Sequence, residues 1–333
     1  MNVKTSTLAL GLVAMQVTLP LAWAVKEHRE QPAGTGVAEL WRNPADIQSR
    51  NLFYGPGGSK DQPRGPYTFI KEDLKGTNPK FVIRDAAGVK WKVKLGIEAR
   101  PETVAARLIW SIGYYANEDY FLHDLRVSNM PAHLHRGQKL IAADGSIYNV
   151  RLKREDEKKL GDWQWRDDPF TGSREWNGLR VMMAVINNWD LKDLNNSIYE
   201  RPGSERVYMV SDLGASFGSG GPRWPLWKAK GNLDYYARSK FIERENASTV
   251  DFYVPGRPQF VWLVHFRAYF QRLHLRWIGK NIPRTDARWI GDLLSRLSAR
   301  QIQDAFRAAG YSTQETEAFS RIVERRIGLL TEL

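Results

Sequence analysis

Cysteine is absent from all 333 residues. That excludes disulfides, zinc–thiolate sites and a lipid anchor on cysteine, so the fold has to be held by its core. Long apolar runs are lacking too: beyond residue 24 no window of about 18 residues is free of polar side chains, so no membrane-spanning helix is expected there. Zinc-finger, helix-turn-helix and RNP signatures are also missing, and nucleic acid is not the expected partner.

What is present is an ordinary globular composition, 42% apolar, in a chain long enough for one large domain or two lobes. The formal charge is +12, or +11 without Lys4, the only charged residue among the first 24. This excess is spread along the chain, as solvated helix faces would spread it. It equally suits an anionic substrate, a nucleotide or an acidic membrane surface. Residues 1–24 carry an apolar run from Leu8 to Leu21 followed by Ala22-Trp-Ala24, the small-x-small pattern of a signal-peptidase site. They read as a secretory leader for a periplasmic or secreted protein, with an uncleaved membrane anchor as the competing reading.

Residues 25–65 read as an extension and linker, with an amphipathic helix expected over Val37–Leu52. From Tyr67 the pattern turns to strands: Tyr67–Lys71, Lys80–Arg84 and Val89–Leu95, the last two joined by the hairpin turn Asp85-Ala-Ala-Gly88. Between the first two lies a small, turn-prone loop containing Gly76, Thr77, Asn78 and Lys80, where backbone N–H groups can approach an anion. Alternation puts Lys92 and Lys94 on one strand face. A helix is expected over Pro101–Gly113, with Glu102 in its first turn, where a carboxylate complements the helix dipole or pairs with Lys94. Ile147–Lys153 reads as the last strand of this half.

Further on, Leu179, Met182, Met183 and Ile186 repeat at helical spacing, with Ser173 or Thr171 as the cap. That helix stops at Asn187-Asn188 and leaves Asp190 in the loop beyond. Ser197–Glu200 and Val207–Val210 then form a hairpin around Pro202-Gly203, which returns Asp212 to the neighbourhood of Asn195. Asp190, Asn195 and Asp212 make D-x-x-x-x-N followed by D-x-G, the order phosphoryl transfer uses: one Asp to orient a hydroxyl, an Asn and a second Asp to hold a metal. The C-terminal part from Gln259 reads as helices, with Ser298 and Thr313 as N-caps and Gly310 between them.

Asp190-Leu-Lys-Asp-Leu-Asn195 resembles the catalytic loop of protein kinases, and Ser211-Asp-Leu-Gly214 their D-F-G element. Gly76-Thr-Asn-Pro-Lys80, a hairpin and Lys94 are similar to the phosphate loop and strand lysine of HipA-type Ser/Thr kinases, an atypical branch shared with phosphoinositide kinases. The resemblance covers about residues 67–217 and implies a two-lobed α+β fold. Its β-rich N-lobe would span 66–154 and its mainly helical C-lobe 155–333. It implies ATP and Mg²⁺ as cofactors and a hydroxyl of a protein, lipid or glycan as acceptor. By position it places Gly76, Thr77, Asn78 and Lys80 around the phosphates, Lys94 on the α/β-phosphates and Glu102 beside Lys94. Asp190 would be the base, Lys192 would lie near the γ-phosphate, and Asn195 and Asp212 would bind Mg²⁺. The backbone of Arg151, Leu152 and Lys153 would meet adenine. The chain departs from ordinary kinases in having Asn188-Trp189 before the catalytic Asp, a single glycine in the loop and no A-P-E element. A second expectation stays open beside the first: an exported, pseudokinase-type binding module that recognises an envelope ligand through residues 219–236 without catalysis.

Overall fold

The computed structural model describes residues 36–76, 78–202, 205–218, 230–255, 270 and 273–333. The leader, Thr77, most of the 219–236 loop and most of the helix expected over 260–278 lie outside them.

The N-terminal half is built on a sheet in the order β5-β7-β4-β3-β2-β6. The strands are β2 (Tyr67–Glu72), β3 (Lys80–Arg84), β4 (Lys90–Lys94), β5 (Asp119–Leu125), β6 (Val127–Ser128) and β7 (Ile147–Arg154). The β3–β4 turn closes where the sequence says it should. Gly88 takes φ +83°, and the Asp85 carboxylate accepts from the backbone of Ala87 and Val89 and from Trp91 Nε1. Alternation buries Phe81, Ile83, Trp91 and Val93 in one core with Tyr120, Val150 and Leu152. Register then sets Lys80 directly opposite Lys94.

Against this sheet packs α1 (Ala99–Ser111), which begins two residues before the expected Pro101 and buries Val104 and Leu108 completely. The helix expected over Val37–Leu52 does not form. Apart from a short strand, β1 (Ala38–Glu39), and a 3-10 turn at Ile47–Ser49, the segment is irregular. Pro44 keeps the preceding residue out of helical geometry and cannot donate into a helical ladder. Leu40, Ile47 and Leu52 are buried nonetheless, and Trp41 Nε1 donates to Ile112 O at 2.7 Å.

The second half is mainly helical: α2 (Arg174–Val185), α3 (Leu233–Arg238), α4 (Arg284–Leu294), α5 (Ala299–Ala308) and α6 (Thr313–Thr331). Ser173 caps α2 by accepting from Trp176 N, and Leu179, Met182, Met183 and Ile186 are all buried, as their spacing requires. β8 (Lys158–Gly161), β9 (Asn196–Arg201) and β10 (Glu205–Val210) join β1 in a small sheet, while β11 (Ile242–Glu245), β12 (Thr249–Phe252) and β13 (Ile282–Pro283) form another. The chain is thus α+β, with a β-rich N-lobe and a mainly helical C-lobe. Among the described residues no helix is long and apolar enough to cross a membrane.

Ser298 caps α5 in a full capping box with Gln301, whose amide also donates to Ile47 O and Arg50 O and so fastens the irregular N-terminal segment. The cap of α6 is Ser312, paired with Glu315, rather than the expected Thr313. Ser298→Ala should lower the free energy of unfolding in urea by about 1 kcal/mol.

Candidate active site

Three elements aim side chains at one point between the sheet and the α2–β9 loop. Lys94, at the end of β4, is 4% exposed. Its Nζ lies 2.7 Å from Glu102 Oε2, 3.2 Å from Glu98 Oε2 and 3.1 Å from Asp212 Oδ1. Glu102 stands in the first turn of α1 and its other oxygen is 2.7 Å from Arg151, which in turn reaches Asp119 at 3.3 Å. Burial works hardest against the charge on Lys94, but Glu102, Asp212 and Glu98 outweigh it and hold the ammonium well above its ordinary range. Burial likewise opposes the Asp212 carboxylate. Lys94 and Arg151 overcome that too, and Asp212 stays ionised well below the usual carboxylate range. Its side chain keeps 42% of its surface exposed, so it offers oxygen to the cleft while its neighbours Glu98 and Glu102 are shut in.

The loop after α2 is held to the D-x-G turn by backbone rungs. Asn187 leaves the helix with φ +54°, Trp189 N donates to Ala215 O at 3.2 Å, and Asn188 Oδ1 accepts from Asp190 N at 3.0 Å. Ser211 N and Asp212 N both donate to Asn195 O, at 2.8 and 3.2 Å, so the β9–β10 hairpin does return Asp212 to Asn195. Asn195 Nδ2 donates to Asp190 O, and Lys192 Nζ sits 3.2 Å from Asp190 Oδ2. Gly214 is a glycine for a steric reason: a Cβ there would lie 2.7 Å from the Cβ of Glu98.

In the loop before β3, Gly76 has φ +70° and its carbonyl accepts from Arg136, while Asn78 Nδ2 donates to Glu98 Oε2. Lys80, beside Asp73 at 3.8 Å, shares the Lys94 face of the sheet. Burial first, then the charges of Lys94 and Lys92, lower its pKa against the pull of Asp73.

One expectation is overturned. Arg151, Leu152 and Lys153 do not present a free backbone to adenine, because β7 pairs along both edges. Lys94, Val93 and Lys92 of β4 lie opposite them on one side, and Phe121, Tyr120 and Asp119 of β5 on the other. The Arg151 side chain is instead a buried link between Glu102 and Asp119. Glu98 escaped the sequence reading, and Lys230 entered it only as part of the 219–236 ligand loop. Glu98 lies four residues from both Lys94 and Glu102, a spacing that would have put it with Glu102 on one helix face. Lys230 donates to Glu98 Oε1 and rides 5.6 Å over the Trp189 ring.

A strand lysine paired with a helix glutamate, a D-x-x-x-x-N loop and a D-x-G aspartate meeting that lysine are the arrangement that the sequence resemblance to kinase-type proteins implies. Two solved structures are similar to the chain in its overall path. The Helicobacter pylori proinflammatory kinase CtkA is 11% identical, with a TM-score of 0.44, over 80% of this chain and 95% of that one. The Golgi casein kinase is 10% identical, with a TM-score of 0.36, over 82% of this chain and 74% of that one. No family model matches the sequence, and no curated protein does either. Both structural likenesses are remote, and the function proposed below stands on the side chains.

Proposed function

We propose that the protein is an ATP- and Mg²⁺-dependent phosphotransferase acting on a hydroxyl group. The observation that carries this reading is the convergence of Lys94, Glu102 and Asp212, from three separate elements, with the Asp190–Asn195 loop bonded to the Asp212 backbone. Glu102 and Arg151 fix Lys94 where it can hold the α- and β-phosphates. Asp212 and the Asn195 side chain supply hard oxygen donors of the kind Mg²⁺ takes, and the ion would neutralise the phosphate charge. Asp190 orients the acceptor hydroxyl and takes its proton as the oxygen attacks the terminal phosphorus and ADP departs. Lys192, beside Asp190, lies where the γ-phosphate would be. Gly76, Asn78 and Lys80 close the phosphate end in the manner of HipA-type loops, and with Arg151, Leu152 and Lys153 paired on both sides the adenine is left to the Asp156-Glu157 connection between the lobes. The acceptor belongs to a protein, lipid or glycan met outside the cytoplasm, where the leader sends the chain.

Thermal unfolding tests the reading. Mg·ATP at 100 times its Kd should stabilise the protein by about 2.7 kcal/mol, and Asp212→Ala should abolish the Mg²⁺-dependent part of that gain. A wild-type melting temperature indifferent to millimolar Mg·ATP would instead favour a binding module that has kept the fold without the chemistry.

A further inference from the structure

Resting on that proposed function, we infer that Glu98 is an internal stand-in for a nucleotide phosphate, and that Lys230 is a phosphate ligand that no motif announces. Glu98 is 5% exposed, and both of its carboxylate oxygens are engaged. Lys94 Nζ donates to Oε2 at 3.2 Å, Asn78 Nδ2 donates to the same oxygen, and Lys230 Nζ donates to Oε1. Two of these donors, Lys94 and Asn78, are residues whose place in the site is to meet phosphate. They come from the strand and the phosphate loop, and the third comes from the C-lobe side of the cleft. Gly231 N bonds to Ser216 O and Asn232 N to Phe217 O there, so Lys230 is anchored just beyond the D-x-G turn.

An oxyanion held by two ammonium groups and an amide is what a bound phosphate would look like, and here a carboxylate of the chain itself fills the role. Burial opposes its charge, but Lys94 and Lys230 outweigh that and lower its pKa below the usual carboxylate range. A triphosphate entering this end of the cleft must therefore take Lys94, Asn78 and Lys230 away from Glu98. Glu98 competes with the nucleotide for its own ligands and repels it by like charge. Lys230 then exchanges the carboxylate for the terminal phosphates.

The test measures Mg·ATP, Mg·ADP and adenosine affinities for the full chain and for two variants. Glu98→Gln, which keeps the packing against Gly214, should bind Mg·ATP about tenfold more tightly than wild type and adenosine equally well. Lys230→Met should bind Mg·ATP about tenfold more weakly, Mg·ADP less affected, and adenosine unchanged. Weaker or unaltered Mg·ATP binding by Glu98→Gln would overturn the inference, because a metal ligand or a structural carboxylate at this place gives that result. Equal losses for ATP and adenosine in Lys230→Met would overturn its role as a phosphate ligand. Failure of the underlying function looks different: wild type and both variants would all ignore Mg·ATP.

Discussion

Asp190→Ala should reduce phosphoryl transfer by about 10² to 10⁴-fold while leaving Mg·ATP affinity within a factor of about two. The separation follows from where the side chain stands. Asp190 is in the loop beyond α2, its backbone held by Asn188 and its carboxylate beside Lys192, while Lys94 is held by Glu98, Glu102 and Asp212. Under the proposed function the nucleotide keeps its ligands when Asp190 is shortened, but the acceptor would lose the group that aligns its hydroxyl and receives its proton. ATP turnover and equilibrium nucleotide binding, measured on the same preparation, check this. Unchanged turnover would remove Asp190 from the chemistry, and a parallel fall in affinity would make it part of the nucleotide site.

The second large effect is on stability. Lys94→Met removes the ammonium on which Glu98, Glu102 and Asp212 converge, and leaves buried carboxylates short of a counter-charge. At pH 7 the loss should be about 3–5 kcal/mol, the usual consequence of stripping one partner from a buried ion pair. The sign of the pH dependence is specific. In wild type the raised pKa of Lys94 contributes stability at every pH below its unfolded value near 10.5 and loses it only in strong alkali, while the depressed pKa of Asp212 contributes above its unfolded value near 3.8 and is lost in acid. Without Lys94 the carboxylates are driven upward, so the folded variant binds protons more readily than the unfolded chain. Its deficit relative to wild type should shrink between pH 7 and pH 4. Urea unfolding of both proteins across that range measures it, and a deficit that stays constant would mean Lys94 contributes packing rather than charge.

The parts of this molecule that could be read from the sequence are those governed by short-range pattern. Asp85-Ala-Ala-Gly88 closes its hairpin because Asp and Gly carry their own turn chemistry, and α2 buries Leu179, Met182, Met183 and Ile186 because helical spacing leaves no other face. The meeting of Asn195 with Asp212 was legible because a hairpin forces its two ends together. What was missed depended on distant partners. The spacing of Glu98 from Lys94 and Glu102 was there to be read, but its second partner, Lys230, arrives from far along the chain. The backbone of Arg151–Lys153 was expected to meet adenine because nothing local announces that β5 and β4 will pair with it on both sides. Val37–Leu52 had the spacing of an amphipathic helix, but Pro44 interrupts it, and Leu40, Ile47 and Leu52 are buried one by one in the main core while Val37 stays exposed.

The two backbone rungs from Asn195 O to Ser211 N and Asp212 N work as a staple across the base of the β9–β10 ribbon. Below them the backbones of Asn195 and Asp212 are clamped at a set separation. Above them the length and sequence of the ribbon's far tip, at Pro202, are insulated from the chemistry. Insertions or affinity tags spliced at that tip should leave the catalytic geometry untouched, which makes it the natural handle for immobilising the protein.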